Sequence, residues 1–195
     1  PLPGKLAILG YEMEAPPPPA PGAAPAPAGP FPRMRATDRR KTYNVTYYAD
    51  FAARRSVRLP YAYLVPLAGT EVRDKLRQHG VAVERLTAPV SLEVEAFRVK
   101  EIKGAERLYQ GHRTNTVKGE YAVETRDFPA GTLVVRLAQP LGRLAAYLLE
   151  AESDDGLLVW NFFDRDIVSQ WGRGAQTYPV YKLLTPVNLA AAGVD

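Results

Sequence analysis

The chain has 195 residues, of which 46% are hydrophobic, and its formal net charge is +4. This length supports one domain with a buried core, or one domain with an appendage. The absence of cysteine excludes disulfides, thiolate zinc sites and a cysteine nucleophile. Basic residues are mixed with acids except at residues 33–41, where no aromatic residues accompany them, so we expect no nucleic-acid partner. No apolar run approaches the roughly 20 residues of a membrane span.

The first 40 residues differ in composition from the rest of the chain. The stretch KLAILGYE, residues 5–12, predicts a strand without a local partner, so residues 1–15 are interpreted as a docking strand or tail. Residues 16–32 are almost entirely Pro, Ala and Gly, which predicts an extended linker over residues 16–40, ending in the basic cluster. A start at Pro1, without Met or a signal peptide, is typical of a piece of a longer or processed protein.

From residue 41 to residue 195 the chain is expected to form one folded accessory domain. Residues 42–48 predict a strand, and residues 62–65 predict a buried one. Residues 70–80 predict a helix that Thr70 caps and Gly80 ends, and residues 81–86 predict the next strand. This order predicts a β-α-β unit with two parallel neighbouring strands.

The remaining elements complete the predicted fold. Residues 91–102 and 113–128 alternate polar and apolar positions and indicate an antiparallel excursion with one wet face. Residues 131–137 predict a strand, 140–150 a helix, 156–163 a strand or a helical turn, and 178–184 a closing strand. The sequence therefore predicts an α/β fold with a mixed, mostly parallel sheet, flanking helices and an antiparallel strand excursion.

The stretch EAESDDGLLVWNFFDRD, residues 150–166, concentrates six carboxylates around an aromatic block. Such a cluster suits either a metal or acid–base site, or a turn beside a buried strand. Ser, Asp and Gly favour turns, so we expect Asp154 and Asp155 to cap backbone amides after the helix and to brace the loop near His112. The continuous run of apolar neighbours indicates that Trp160 belongs to the core rather than to a ligand platform.

Two histidines bear on the possible chemistry. His79 follows a predicted helix, where its charge suits the helix dipole, whereas His112 lies in the loop YQGHR, residues 109–113. No zinc-binding His pair and no calcium-loop spacing occur, so we expect neither metal nor catalytic residues in this chain. Six residues are candidates for ligand binding: His112, Gln139, Asp154, Asp155, Trp160 and Asn161.

Several segments together resemble a known family. LPYAYLVP, YQGHR, AQPLGRLAAYLLEAESDDGLLVWNFFD and YPVYKLL, within residues 56–184, are similar to the region that follows the catalytic domain in large bacterial zinc carboxypeptidases. The resemblance implies an extracytoplasmic protein whose zinc is held by a peptidase domain of the same parent chain. The peptidase's zinc-binding His and Glu motif is absent here. Some relatives carry a class I glutamine amidotransferase-like domain, which here would lack its cysteine nucleophile.

Three functions follow as expectations. The first is a non-catalytic accessory domain that packs on the peptidase domain or positions peptide or cell-wall substrate for it. The second is an α/β hydrolase-like enzyme using Asp154, Asp155 and His112, which would require these groups to converge. The third is a carbohydrate- or peptide-binding module with Trp160, Trp171 and Tyr178 as platforms, which a buried Trp160 and an exposed Trp171 would favour.

Overall fold

The computed structural model describes residues 3–17, 34–53, 55–66, 69–172 and 174–194. The chain divides into two compact units, residues 1–56 and residues 57–195. Most of the predicted Pro- and Ala-rich linker lies outside the described residues, so its extended form stays a prediction.

The first unit is an antiparallel ribbon of two strands, β1 (Lys5–Glu14) and β2 (Arg35–Thr46). β1 therefore has a local partner, β2, and the first residues of β2 belong to the segment 16–40 that was predicted to be a linker. Leu6 lies opposite Val45, and Ile8 lies opposite Tyr43, so these four side chains share one face of the ribbon. An Arg39–Glu12 ion pair joins the two strands.

The second unit is built on one seven-stranded sheet, in which every paired strand is antiparallel. Its strands in chain order are β3 (Ala62–Val65), β4 (Glu84–Leu86), β5 (Val90–Gly104), β6 (Asn115–Phe128), β7 (Leu133–Arg136), β8 (Thr177–Leu183) and β9 (Ala191–Gly193). Their order across the sheet is β6-β5-β8-β3-β7-β4-β9.

The predicted mixed, mostly parallel α/β fold is therefore wrong. The predicted β-α-β unit exists in part, because β3 and β4 both run antiparallel to β7 and hence parallel to each other. However, β7 lies between them, which makes the unit a split β-α-β arrangement. The error has a physical cause: both faces of the central strands are buried, and such strands have continuous apolar sequences whether their neighbours run parallel or antiparallel. The antiparallel sheet also gives no support for an amidotransferase-like fold.

Alternation along the strands divides the core into two layers. Tyr63, Val65 and Val180 face one side of the sheet, where three helices and residues 151–163 cover them. Leu64 and Leu183 face the other side, where residues near Leu189 complete a smaller apolar layer. The strand predicted at residues 178–184 is present as β8, which lies between β5 and β3 in the sheet, and both β3 and β8 are buried along their whole length.

The described residues contain three helices: α1 (Glu71–Gln78), α2 (Gly142–Leu149) and α3 (Asp164–Val168). The two longer helices confirm the predictions for residues 70–80 and 140–150. Thr70 lies at the N-cap of α1 but makes no side-chain capping bond, whereas Gly80, with φ of +78°, supplies the expected left-handed stop. Residues 156–163 form successive turns that lead into α3.

Candidate functional site

A cleft of about 510 Å³ opens on the helical side of the second unit. This volume lies within the range of roughly 300–1,000 Å³ that is typical of small-molecule sites. Its walls come from α1, the turn at residues 109–112, α2 and the segment 155–162. The lining residues are Lys75, His79, Gln110, His112, Leu144, Tyr147, Leu148, Asp155, Leu157, Trp160 and Phe162.

The acids of the ESDDG turn bind side chains at this cleft. Trp160 Nε1–H donates to Asp155 Oδ1 at 2.6 Å, and the Tyr147 hydroxyl donates to Asp154 Oδ1 at 2.6 Å. The hydrogen bond to Asp154 raises the pKa of Tyr147 above its usual value. We predicted that these carboxylates accept hydrogen bonds from backbone amides. Among the described residues, their donors are instead the indole of Trp160 and the phenol of Tyr147, so that prediction was wrong.

His112 has a defined hydrogen-bonding partner. Its Nδ1 lies 3.1 Å from Asn161 Oδ1. The amide nitrogen of Asn161 donates to the carbonyl of Arg113 at 2.9 Å and to Asp164 Oδ2 at 3.1 Å, which fixes the amide orientation and makes Oδ1 the acceptor. His112 Nδ1 therefore carries hydrogen, and in the neutral ring Nε2 is the proton acceptor.

A second layer holds this arrangement in place. Asn115 Nδ2 donates to Asp164 Oδ1 at 2.5 Å and to the carbonyl of Leu158 at 3.3 Å. Asn115 is buried on β6, so the hydrogen-bonded series from His112 through Asn161 and Asp164 ends on the sheet. Asn161 has φ of +70°, a left-handed conformation that Asn tolerates better than most residues.

The turn that presents His112 has a recognisable sequence cause. Tyr109 and His112 exchange both backbone hydrogen bonds, at 2.8 and 2.9 Å. The two residues between them, Gln110 and Gly111, have φ of +49° and +84°, as the centre of a type I′ hairpin turn requires. His112 then meets Trp160 edge to face, with ring centroids 5.4 Å apart.

Most of the residues predicted to bind ligand come together here. His112, Asp155 and Trp160 line the cleft, Asn161 supports His112, and Asp154 contacts a lining tyrosine. Gln139 is elsewhere.

The side-chain amide of Gln139 links two backbone segments. It accepts from the Ala82 amide at 2.8 Å and donates to the carbonyls of Ala82 and Arg136 at 3.1 and 2.6 Å. All three hydrogen bonds connect the Gln139 side chain to backbone groups, which gives Gln139 a structural role.

The aromatic residues proposed as platforms differ in exposure. Trp160 is half-buried and lines the cleft. Trp171 is 69% exposed and is not one of the residues that line the cleft. Tyr178 is buried, so the expectation that it is an exposed platform is wrong. His112 binds neither Asp154 nor Asp155, and the carboxylate behind it belongs to Asp164.

A buried charged cluster lies at the end of α2, and the sequence analysis missed it. Lys182 Nζ lies 2.8 Å from Glu150 Oε1, and both side chains are less than a tenth exposed. The hydroxyls of Tyr63 and Tyr121 donate to the two Glu150 oxygens at 2.5 and 2.8 Å. Burial, with the nearby carboxylate, raises the pKa values of Tyr63, Tyr121 and Tyr178. The signal that was available is the lysine within YPVYKLL, because a lysine on a doubly buried strand requires a partner.

The described residues do not suit a zinc ion. No group of three His, Asp or Glu side chains among them is arranged to hold a metal, and structural or catalytic zinc needs at least three protein ligands.

No helix in the described part of the chain is long and apolar enough to span a membrane.

Comparison with known proteins gives a partial similarity. Carboxypeptidase 2 of Trichophyton equinum is 27% identical over 124 residues, which are 64% of this chain and 22% of that protein. The corresponding protein of Trichophyton rubrum is 26% identical over the same length, and that of Trichophyton tonsurans is 30% identical over 96 residues. No family model and no solved structure matches the chain.

The similarity supports a carboxypeptidase-related protein and gives no support for the expected bacterial family. These relatives are fungal, whereas the resemblance in the sequence pointed to bacterial proteins. The chain spans about a fifth of the length of these relatives, so their similarity to it concerns a segment.

Proposed function

We propose that this chain is a non-catalytic accessory region of a carboxypeptidase-related protein and that its cleft positions substrate for the peptidase. The observation that carries the proposal is the similarity to a segment of carboxypeptidase 2 proteins. The cleft supports it, since it combines apolar and aromatic walls with a few polar groups, as small-molecule and peptide sites do. A peptidase zinc, and an extracytoplasmic location, belong to the same proposal.

Trp160 is the residue that best reports on this function. Its indole forms one wall of the cleft, and Asp155 and His112 hold it in place. Aromatic side chains supply large contact areas at low conformational cost, so removal of this ring should weaken substrate binding without altering the reacting groups. Trp171 is a matched control because it is exposed and does not line the cleft.

The test measures amino-acid release from the carboxyl end of peptides. We expect no release by the 195-residue chain, and release by the full product of the gene that encodes it. In that product, Trp160→Ala should raise KM severalfold at unchanged kcat, whereas Trp171→Ala should change neither. Peptide hydrolysis by the 195-residue chain alone, or a lower kcat with unchanged KM for Trp160→Ala, would contradict the proposal.

A hydrolytic role for the chain itself is the second candidate, and His112 favours it. The Nδ1–H bond to Asn161 leaves Nε2 as a proton acceptor in a ring that lines the cleft, which is the arrangement of a general base. Hydrolysis by the 195-residue chain that His112→Ala abolishes would establish this function in place of the first.

A further inference from the structure

Lys75 places a cation in the wall of the cleft. It lies half-buried on α1, and it forms no ion pair with any described residue. Its ammonium group is 5.8 Å from the centre of the Phe162 ring, within reach of a weak cation–π attraction. A positive charge is therefore held beside an aromatic face that also lines the cleft.

The cleft's carboxylate does not neutralise this charge. Asp155 accepts the Trp160 indole N–H at 2.6 Å and is not in ion-pair contact with Lys75. A ligand anion that reaches Lys75 would gain a charge-assisted hydrogen bond, which is stronger than one between neutral groups.

The rest of the lining favours an apolar body on that anion. Leu144, Leu148 and Leu157 contribute aliphatic surface, and Trp160 and Phe162 contribute aromatic surface. Such walls suit a flat or branched hydrocarbon group.

Both imidazoles that line the cleft, those of His79 and His112, form a hydrogen bond to the protein through Nδ1. His79 Nδ1 lies 2.8 Å from the carbonyl of Lys75, to which it donates, as His112 Nδ1 donates to Asn161. In the neutral rings each Nε2 is then an acceptor, suited to an N–H group of a ligand.

We propose that the cleft binds a carboxylate carried on an aromatic or branched apolar group, with Lys75 as its counter-ion. This rests on the proposed function only in that it uses the same cleft, and it adds the chemistry of the ligand. Two sources present this chemistry: the terminal residue of a peptide, and a free apolar amino acid such as a carboxypeptidase releases.

The experiment is a calorimetric titration of the 195-residue chain with N-acetyl-phenylalanine and with its amide. The two differ in charge but have the same ring, so we expect the acid to bind about tenfold more tightly, as loss of one hydrogen bond to a charged group implies. Lys75→Met should abolish this preference. Arg77→Met, which removes one charge from an exposed position on the same helix outside the cleft lining, should retain it.

Further titrations separate the two sources. Tighter binding of Gly-Gly-Phe than of free phenylalanine would assign the site to peptide ends, and the reverse order would assign it to the released amino acid. Equal binding of acid and amide, or a preference that survives in Lys75→Met, would overturn the ligand proposal and leave the positioning function standing. Failure of every compound to bind would overturn the ligand proposal, whereas the positioning function would be decided separately by the KM of Trp160→Ala.

Discussion

The Glu150–Lys182 pair provides the sharpest test of the structure, because it places a single charge of each sign in the core. Both side chains are less than a tenth exposed, and the carboxylate accepts from two tyrosines as well as from the lysine. Glu150→Gln retains the shape but leaves the ammonium of Lys182 buried without a counter-charge. Breaking a buried pair in this way typically costs about 3–5 kcal/mol, a large part of the roughly 5–15 kcal/mol that stabilises a domain.

The double variant Glu150→Gln with Lys182→Met should regain part of that loss. It removes the buried charge and places an apolar side chain on a strand that is buried along its whole length, and such replacements of buried pairs are often neutral or stabilising. We therefore expect the double variant to be more stable than Glu150→Gln alone, with a coupling free energy of about 1–3 kcal/mol.

Urea unfolding at pH 7, followed by tryptophan fluorescence, measures these differences. Glu120→Gln is the control, because its pair with Lys100 is about 60% exposed on both sides and should contribute less than about 1 kcal/mol. The slope of free energy against urea should stay constant across the variants. Two results would show that Glu150 and Lys182 do not form a buried ion pair. One is that the losses of unfolding free energy in Glu150→Gln and Lys182→Met simply add, and the other is that Glu150→Gln loses no more than Glu120→Gln.

Three further predictions follow from the described residues. Tyr63, Tyr121 and Tyr178 have raised pKa values, so above pH 10 they ionise in the unfolded chain before the folded one. Stability should fall by up to about 4 kcal/mol per pH unit there, and urea midpoints that are equal at pH 9 and pH 11 would contradict this. Gly119→Ala should lower the free energy of unfolding in urea by about 2 kcal/mol or more, since the added Cβ would lie 2.2 Å from a backbone oxygen of β5. An unchanged urea midpoint would refute the close approach of β5 to Gly119. Asn161→Ala removes the acceptor of the His112 Nδ1–H and a residue that tolerates φ of +70°, so the melting temperature should fall by several degrees. An unchanged His112 imidazole NMR spectrum in that variant would refute the bond.

The local elements were predictable from sequence because each follows from short-range patterns. The 142–149 helix has apolar residues at helical spacing, and Gly80 ends α1 in the left-handed conformation that glycine favours. The sheet order was not predictable in the same way. Residues 133–136 insert between β3 and β4, and nothing in the composition of a four-residue buried strand specifies which neighbours it takes or in which direction they run.

The site was predictable in its loop residues and not in its helical ones. His112 and Asp155 were identified because polar residues beside Gly indicate a shaped loop, whereas Trp160 was expected to belong to the core. Lys75 was not identified, since a lysine on a short amphipathic helix is ordinary, and only the packing of that helix beside residues 155–162 brings it to the cleft. Long-range juxtaposition of this kind leaves no local sequence signal.

The acids that stand together in the sequence lie at different depths, because Glu150 caps the buried end of α2 and the other acids follow in the turn and in α3. Glu150 is the C-cap residue of that helix, with extended backbone, and its carboxylate is held by β3, β6 and β8 through Tyr63, Tyr121 and Lys182. The helix is therefore fixed to the sheet at the point where the chain turns toward Asp155. One turn earlier on the same helix, Tyr147 lines the cleft. The buried pair thus attaches the end of α2 to the sheet, and the chain that carries the cleft's Asp155 and Trp160 continues from this anchored point.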